Sequence, residues 1–152
     1  MSNEFDLPST DAALRELAES LMGMNYVVSF DLHHVPQVFD HPKQYVVTAF
    51  GARAKVKEFE EVSAGMMLAE VERCIRWRGD RGSHPNLEFR RTGRFEELLE
   101  GVLAHLRESA KNSTIWSVWI EPGHPHYPVQ WDFAFVLASS SGGEVFVGSS
   151  SD

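Results

Sequence analysis

Apolar residues recur at helical spacing in three segments of the chain. In residues 10–22 they return at three- and four-residue steps behind a Ser-Thr-Asp sequence that offers N-caps. In residues 95–106 they form an unbroken series, with glutamates on the other side. Residues 63–78 fit helical spacing too, although Val71, Ile75 and Trp77 also fit the alternation of a strand. We therefore predict three helices, although the middle segment also fits the pattern of a strand.

Strands are predicted where β-branched and aromatic residues cluster. Residues 26–30 and 45–50 are such runs, and alternating apolar and basic residues extend the second run to residue 57. A short strand is also predicted at residues 86–91, after a loop at 79–85. Residues 31–42 contain two prolines and three histidines, which predict an irregular crossing between the first two strands.

Three further runs near the C-terminus predict an antiparallel meander. They are residues 115–121, 131–138 and 144–148, and the last two are close enough in sequence to form a hairpin. Residues 131–138 are apolar on both faces apart from Asp132, so this strand should be central. The Ser-rich tail 148–152 is expected to fray. The predicted fold class is α+β, with a mainly antiparallel sheet packed against two or three helices.

Length and composition predict a single domain of residues 1–152. No apolar run approaches the roughly 18 residues that a membrane-spanning helix needs, and residues 1–11 lack the basic start of a secretory signal. We therefore expect a soluble, cytoplasmic protein. Cys74 is the only cysteine, which excludes an intrachain disulfide and a zinc site built on several thiolates.

The net charge of −8 sets the kind of partner to expect. It repels nucleic-acid backbones and steers cationic proteins toward the chain. With its small size and no catalytic motif, the sequence favours an acidic binding module without a cofactor. Immunity proteins, which neutralise basic bacterial toxins, are one class of this kind. This hypothesis rests on charge and size alone.

Four residues are candidates for ligand contacts in such a module. Trp116 and Trp119 must point to opposite faces of one strand, so Trp119 is a candidate anchor, although core packing is the commoner fate of a tryptophan. Tyr127 lies in a proline-rich loop. Arg76 and Arg78 belong to a stretch with seven of the ten arginines, which could grip an anion but is more typical of a salt-bridged face.

The alternative hypothesis is a small metal-dependent enzyme or metal sensor that binds one divalent ion. His124 and His126 would point to one side of an extended loop at residues 121–130, as a two-imidazole clamp requires. Asp31 or His33 would supply a third ligand. Histidines that hydrogen-bond to backbone groups of their own loop are the more common explanation of such a sequence.

Catalytic residues are not identifiable from sequence motifs. The chain has no GxSxG, P-loop or GxGxxG sequence, and Cys74 lies in an apolar stripe where a buried thiol is inert. Asp132 could serve as a general base or metal ligand, but an ion pair with an arginine or a place at the wet end of its strand is favoured. Whether the protein is an enzyme stays open at this point.

Overall fold

The computed structural model describes residues 9–121 and 129–151, which form five helices and one five-stranded antiparallel sheet. The helices are α1 (Thr10–Leu21), α2 (Pro42–Phe50), α3 (Ala64–Ile75), the single turn α4 (Leu87–Arg90) and α5 (Gly93–Ala110). The strands are β1 (Val27–Val35), β2 (Lys55–Val62), β3 (Ser113–Glu121), β4 (Val129–Ser139) and β5 (Gly142–Ser151). Within these residues, no helix combines the length and the apolar character needed to cross a membrane.

The strand order β1-β5-β4-β3-β2 confirms the predicted α+β class and its C-terminal meander. β4 is the middle strand of the sheet, as its two apolar faces predicted. β1 pairs with β5 and β2 pairs with β3, so β1 and β2 are the two outer strands. The predicted helices at residues 10–22, 63–78 and 95–106 correspond to α1, α3 and α5.

The strand predicted at residues 45–50 is wrong, because those residues belong to α2. The helix begins at His41, whose ring Nδ1 accepts a hydrogen bond of 3.0 Å from the Lys43 backbone N–H. The Gln44 side chain accepts a bond of 3.3 Å from the His41 backbone N–H, which completes a capping box. Pro42 occupies the first helical position, where its missing N–H costs nothing. The strand that follows begins only at Lys55.

Three other local predictions are also corrected. Residues 86–91 form the helical turn α4 rather than a strand, because the Asn86 side chain caps it by accepting from the Phe89 N–H. The irregular crossing is shorter than expected, since β1 continues to Val35 along the full length of β5. The tail does not fray before Ser151, because β5 lies between β1 and β4 and its last three serines are buried. Asp152 lies outside the described residues.

One face of the sheet is covered by α1, α3 and α5. Leu17, Met67 and Leu99 are fully or nearly fully buried members of the three helices in this core. Aromatic rings of the sheet pack beneath them, and the Phe133 ring lies over Gly148 on the neighbouring strand. A Cβ on that glycine would be 2.4 Å from the Phe133 ring, so the ring can occupy this position only because residue 148 has no side chain.

The other face of the sheet is covered by α2. Tyr45 and Val46 of this helix are buried against Val136 and Val145 of the two central strands. The Tyr45 ring lies directly over Gly143, where a Cβ would be 2.7 Å from a ring carbon and 2.6 Å from the Leu137 carbonyl oxygen. The contact of Tyr45 with Gly143 therefore sets how closely α2 approaches the sheet.

A partly buried histidine–glutamate pair joins α5 to β5. His105 Nε2 lies 2.8 Å from Glu144 Oε2, and Ser109 is close to the same imidazole nitrogen. The bond to Glu144 raises the pKa of His105 against the opposing effect of burial, and the charge of Asp11 raises it further. Burial raises the pKa of Glu144, but the bonds from His105 and Ser109, together with the charges of His105 and His34, outweigh it, so that pKa is lowered.

Gly143→Ala should lower the free energy of unfolding by about 1–3 kcal/mol, the usual effect of forcing an extra carbon into a filled core. Chemical denaturation measures this change. Gly101→Ala is the matched control, because that position is helical and has open space around it. The control should leave stability unchanged or raise it by up to about 1 kcal/mol. Equal effects of the two substitutions would contradict the contact between Tyr45 and Gly143.

The contribution of His105 to stability should fall as the pH rises. A group whose pKa is raised on folding stabilises the protein at pH values below its pKa in the unfolded chain, which is about 6.5 for histidine. This stabilisation is lost as the pH rises through the pKa of the folded protein. The stability difference between the wild type and His105→Gln should therefore be larger at pH 6 than at pH 8.5, measured by denaturation at both values. In a Glu144→Gln background this pH dependence should disappear. A difference that is independent of pH would show that the pair is not charged.

Candidate functional site

α2 leaves part of its face of the sheet uncovered. Beyond Phe50, the last residue of the helix, a cavity of about 420 Å³ opens on the sheet. Strands β1, β5 and β4 form its floor, and β3 with Phe50 and the turn at Arg53 and Ala54 forms its walls. We call this cavity the sheet pocket. Gly51 ends α2 with a φ of 96°, which turns the chain into the wall.

Strand register places polar side chains in a row across the pocket floor. Ser29 of β1 is opposite Ser149 of β5, and Ser149 is opposite Asp132 of β4 on its other side. Residues directly opposite in an antiparallel sheet share a face, so these three line the floor together. Asp31 begins the next row, where Val147 is its opposite residue. The floor therefore offers two hydroxyls and two carboxylates beside apolar surface.

The pocket extends between β3 and β4 because these strands separate. Their ladder runs from Ser113–Ser139 to Ser117–Phe135, whereas β3 stays paired with β2 as far as Glu121. Residues of both strands beyond that ladder line the pocket, among them Ile120 and Asp132. The separation therefore deepens the pocket beyond what an unbroken sheet surface would allow.

Carboxylates outnumber arginines and lysines among the described residues that line the sheet pocket. Asp31 is exposed and Asp132 is half-buried, while Arg53 is an exposed cation on the turn. His33 lies beside them on β1, with its Nε2 3.9 Å from an Asp31 oxygen. The His33 ring meets the Phe50 ring edge to face at 4.7 Å. The pocket is thus acidic at its floor, with one arginine on its wall.

A second surface lies along the outer strand β2. Glu58, Glu60 and Glu61 are exposed there, as are Phe59 and Trp119. Trp119 shares one face of the sheet with Glu58 and Glu60, whereas Phe59 shares the other face with Glu61. We call these five residues, on the two faces of the strand pair, the acidic edge. Trp119 of β3 is directly opposite Glu58, and a shallow groove runs between the two strands. Trp119 also lines the sheet pocket, so the two surfaces adjoin.

The structure separates the four predicted ligand contacts. Trp119 is exposed in the acidic edge, whereas Arg76 and Arg78 line neither the sheet pocket nor the groove. The Arg76 guanidinium bonds to Glu72 at 2.8 Å and to Glu96 at 2.7 Å, which matches the salt-bridged face that the sequence favoured. Tyr127 lies outside the described residues.

Two of the four predicted metal ligands are neighbours in the structure. Asp31 and His33 share one face of β1, as alternation along a strand requires. His124 and His126 lie outside the described residues. Within residues 9–121 and 129–151, no group of three histidine, cysteine or acidic side chains is arranged to hold a metal. The metal site that includes the loop remains a prediction.

Comparisons with known proteins leave the function open. No protein-family model matches the sequence, and no curated protein matches it. A crystal structure of citrus MAF1 is similar to this chain, with 13% sequence identity, a TM-score of 0.46, and coverage of 91% of this chain and 98% of that chain. A similarity of this size supports no argument about function. The function proposed below therefore depends on the geometry of the two surfaces.

Sequence reasoning missed most of the sheet pocket. Ser29 and Ser149 were not candidates, because only strand register brings them beside Asp132. Phe50 and Arg53 were missed because the segment before them was predicted to be a strand rather than a helix. The His-Pro sequence at residues 41–42, followed by Gln44, was the signal that could have identified the helix and the wall it forms.

Cys74 should be unreactive in the folded protein. Its side chain has no exposed surface, and burial raises the pKa of the thiol to about 12, with the Glu70 charge as the second cause. At pH 8 a disulfide reagent should label it slowly in buffer and completely in denaturant, because the thiolate is the reactive form. Rapid labelling of native protein would contradict the burial and reopen Cys74 as a nucleophile.

Proposed function

We propose that the protein is a binding module that engages a cationic protein segment through the acidic edge. The observation that supports this most directly is the composition of β2. It is an outer strand whose exposed acids lie beside two exposed aromatic side chains. A partner strand with lysines or arginines complements both its shape and its charge.

The acidic edge retains negative charge that other parts of the molecule neutralise. On the helices, arginines and lysines pair with acids: Arg73 with Glu70, Arg76 with Glu72 and Glu96, Arg94 with Glu16 and Glu97, Arg107 with Glu100, and Lys111 with Glu108. Among the described residues, Glu58, Glu60 and Glu61 form no ion pair. β2 also carries Lys55 and Lys57 at its start, and Lys57 pairs with Glu121. The acids are therefore gathered in the second half of the strand, where they would attract a basic partner.

An outer strand can bind a partner by adding it to the sheet. The partner's backbone would then supply hydrogen bonds to β2, and its side chains would supply selectivity. A basic strand would place ammonium or guanidinium groups near Glu58 and Glu60, where opposite charges across a strand pair stabilise it.

Two aromatic side chains give the edge a means of tight contact. Trp119 is 53% exposed and Phe59 is 49% exposed. Tryptophan is enriched among the few residues that supply most of the energy in protein interfaces, because it removes a large apolar area from water. Charge would set the rate of encounter, and these two rings would set the lifetime of the complex.

The test uses an acetylated peptide of alternating lysine and valine as a defined basic strand. Titrated into ¹⁵N-labelled protein, it should shift the amide signals of residues 55–62 and the Trp119 indole signal. Glu58→Lys with Glu60→Lys should weaken binding at least tenfold, and Trp119→Ala should weaken it comparably with little change in the free energy of unfolding. Binding should also weaken as salt rises, because exposed charges are screened.

The matched control is Glu19→Lys with Glu88→Lys. These glutamates are also exposed, and the substitutions change the net charge by the same amount, but they lie on α1 and α4. They should leave peptide affinity within about twofold of the wild type, the small effect expected of screened charges far from the site. Equal losses in the two double variants, or shifts spread evenly over the protein, would overturn the proposal in favour of nonspecific attraction.

A further inference from the structure

We infer that the sheet pocket is a separate binding site for an organic cation with an apolar stem. The ligand class is a primary ammonium or a guanidinium on an alkyl or aryl body. A free small amine and a lysine or arginine side chain of a protein both carry this chemistry. The inference stands on the pocket itself and does not require that the acidic edge bind a partner.

The pocket has the size and the walls of a small-molecule site. Its volume of about 420 Å³ lies within the range of roughly 300–1,000 Å³ that small ligands occupy. Phe50 closes one side, while Val118 and Ile120 of β3 form another. Val147 adds an apolar patch to the floor. These surfaces would remove the stem of a ligand from water, which provides the non-directional part of the affinity.

The charges of the pocket select a cation. Asp31 and Asp132 lie on strands that flank β5 on its two sides and in neighbouring rows, so their Cα atoms are two strand spacings apart across the sheet and two residues apart along it, or roughly 12 Å. A cationic head over β5 would lie between the two carboxylates. Among the described residues of the lining, Arg53 is the one arginine or lysine, and it is exposed on the turn, while His33 is held beside Asp31 and Phe50.

The floor can also satisfy the hydrogen bonds of such a head group. An ammonium has three donors and a guanidinium has five, and neither has an acceptor. Ser29 and Ser149 place hydroxyl oxygens in the row that ends at Asp132, and Ser29 lies next to Asp31 on the same face of β1. An anion would face two like charges here. These acceptors are spread over three strands, which suits an organic head group. A metal ion needs a more compact set of ligands.

The test is a titration of ¹⁵N-labelled protein with benzylammonium, with benzyl alcohol as its neutral counterpart. Benzylammonium should give saturable shifts at residues 29, 31, 132, 147 and 149, with affinity at least tenfold higher than that of the alcohol. Asp31→Asn and Asp132→Asn should each weaken it at least fivefold. Glu88→Gln, a charge loss on α4, should have no effect. Absence of saturation, or equal affinity for the alcohol, would overturn the inference.

A second arm distinguishes the two sources of the cation. If Asp31→Asn weakens both benzylammonium and the lysine-valine peptide, a basic side chain of the peptide enters the pocket. If it weakens benzylammonium alone, the pocket takes a free amine. Asp31 is exposed, so this variant should fold, which circular dichroism checks. If benzylammonium does not bind but the peptide does, only the inference about the sheet pocket is overturned. If benzylammonium binds but the peptide does not, only the proposed function of the acidic edge is overturned.

Discussion

A nine-residue helix cannot cover one face of a five-stranded sheet, and the two surfaces of interest follow from this mismatch. α2 is about 14 Å long, whereas the sheet is about 19 Å wide between its outer strands and more than about 30 Å along β4 and β5. Tyr45 fixes the helix over Gly143, toward one end of these strands. The other end of the face, at Ser29, Ser149 and Asp132, stays open and carries polar side chains for that reason.

The opposite face shows what full coverage requires. Three helices with leucine and aromatic layers bury it, and the ion pairs of these helices lie at their solvent side. Such exposed pairs add little stability individually, but they neutralise Arg73, Arg76 and Arg94, three of the seven arginines that the sequence concentrates between residues 73 and 94. The sheet side of the molecule carries further acids, at the acidic edge and in the sheet pocket.

The spacing of apolar residues predicted those elements whose pattern fits either a helix or a strand but not both. α1, α5 and the meander were identified in this way, and two-sided burial of residues 131–138 predicted the central strand. The segment at 45–50 failed because Tyr45, Val46 and Val47 fit a strand equally well, and the cap at His41 decides between the two. The pocket could not be predicted, because it depends on the register of β1, β5 and β4 and on where β3 leaves β4.

The acids of β2 and the two aromatic side chains of the acidic edge call for different explanations. Charged residues on an outer strand commonly prevent sheets from joining edge to edge, and Glu58, Glu60 and Glu61 would serve that purpose without any partner. Phe59 and Trp119 work against it, since exposed aromatic rings at a sheet edge favour association. A protein under pressure only to stay monomeric would not need both. Aromatic surface bordered by acids is instead what recognition of a basic strand requires, because the acids attract its cations and the rings bury its apolar side chains.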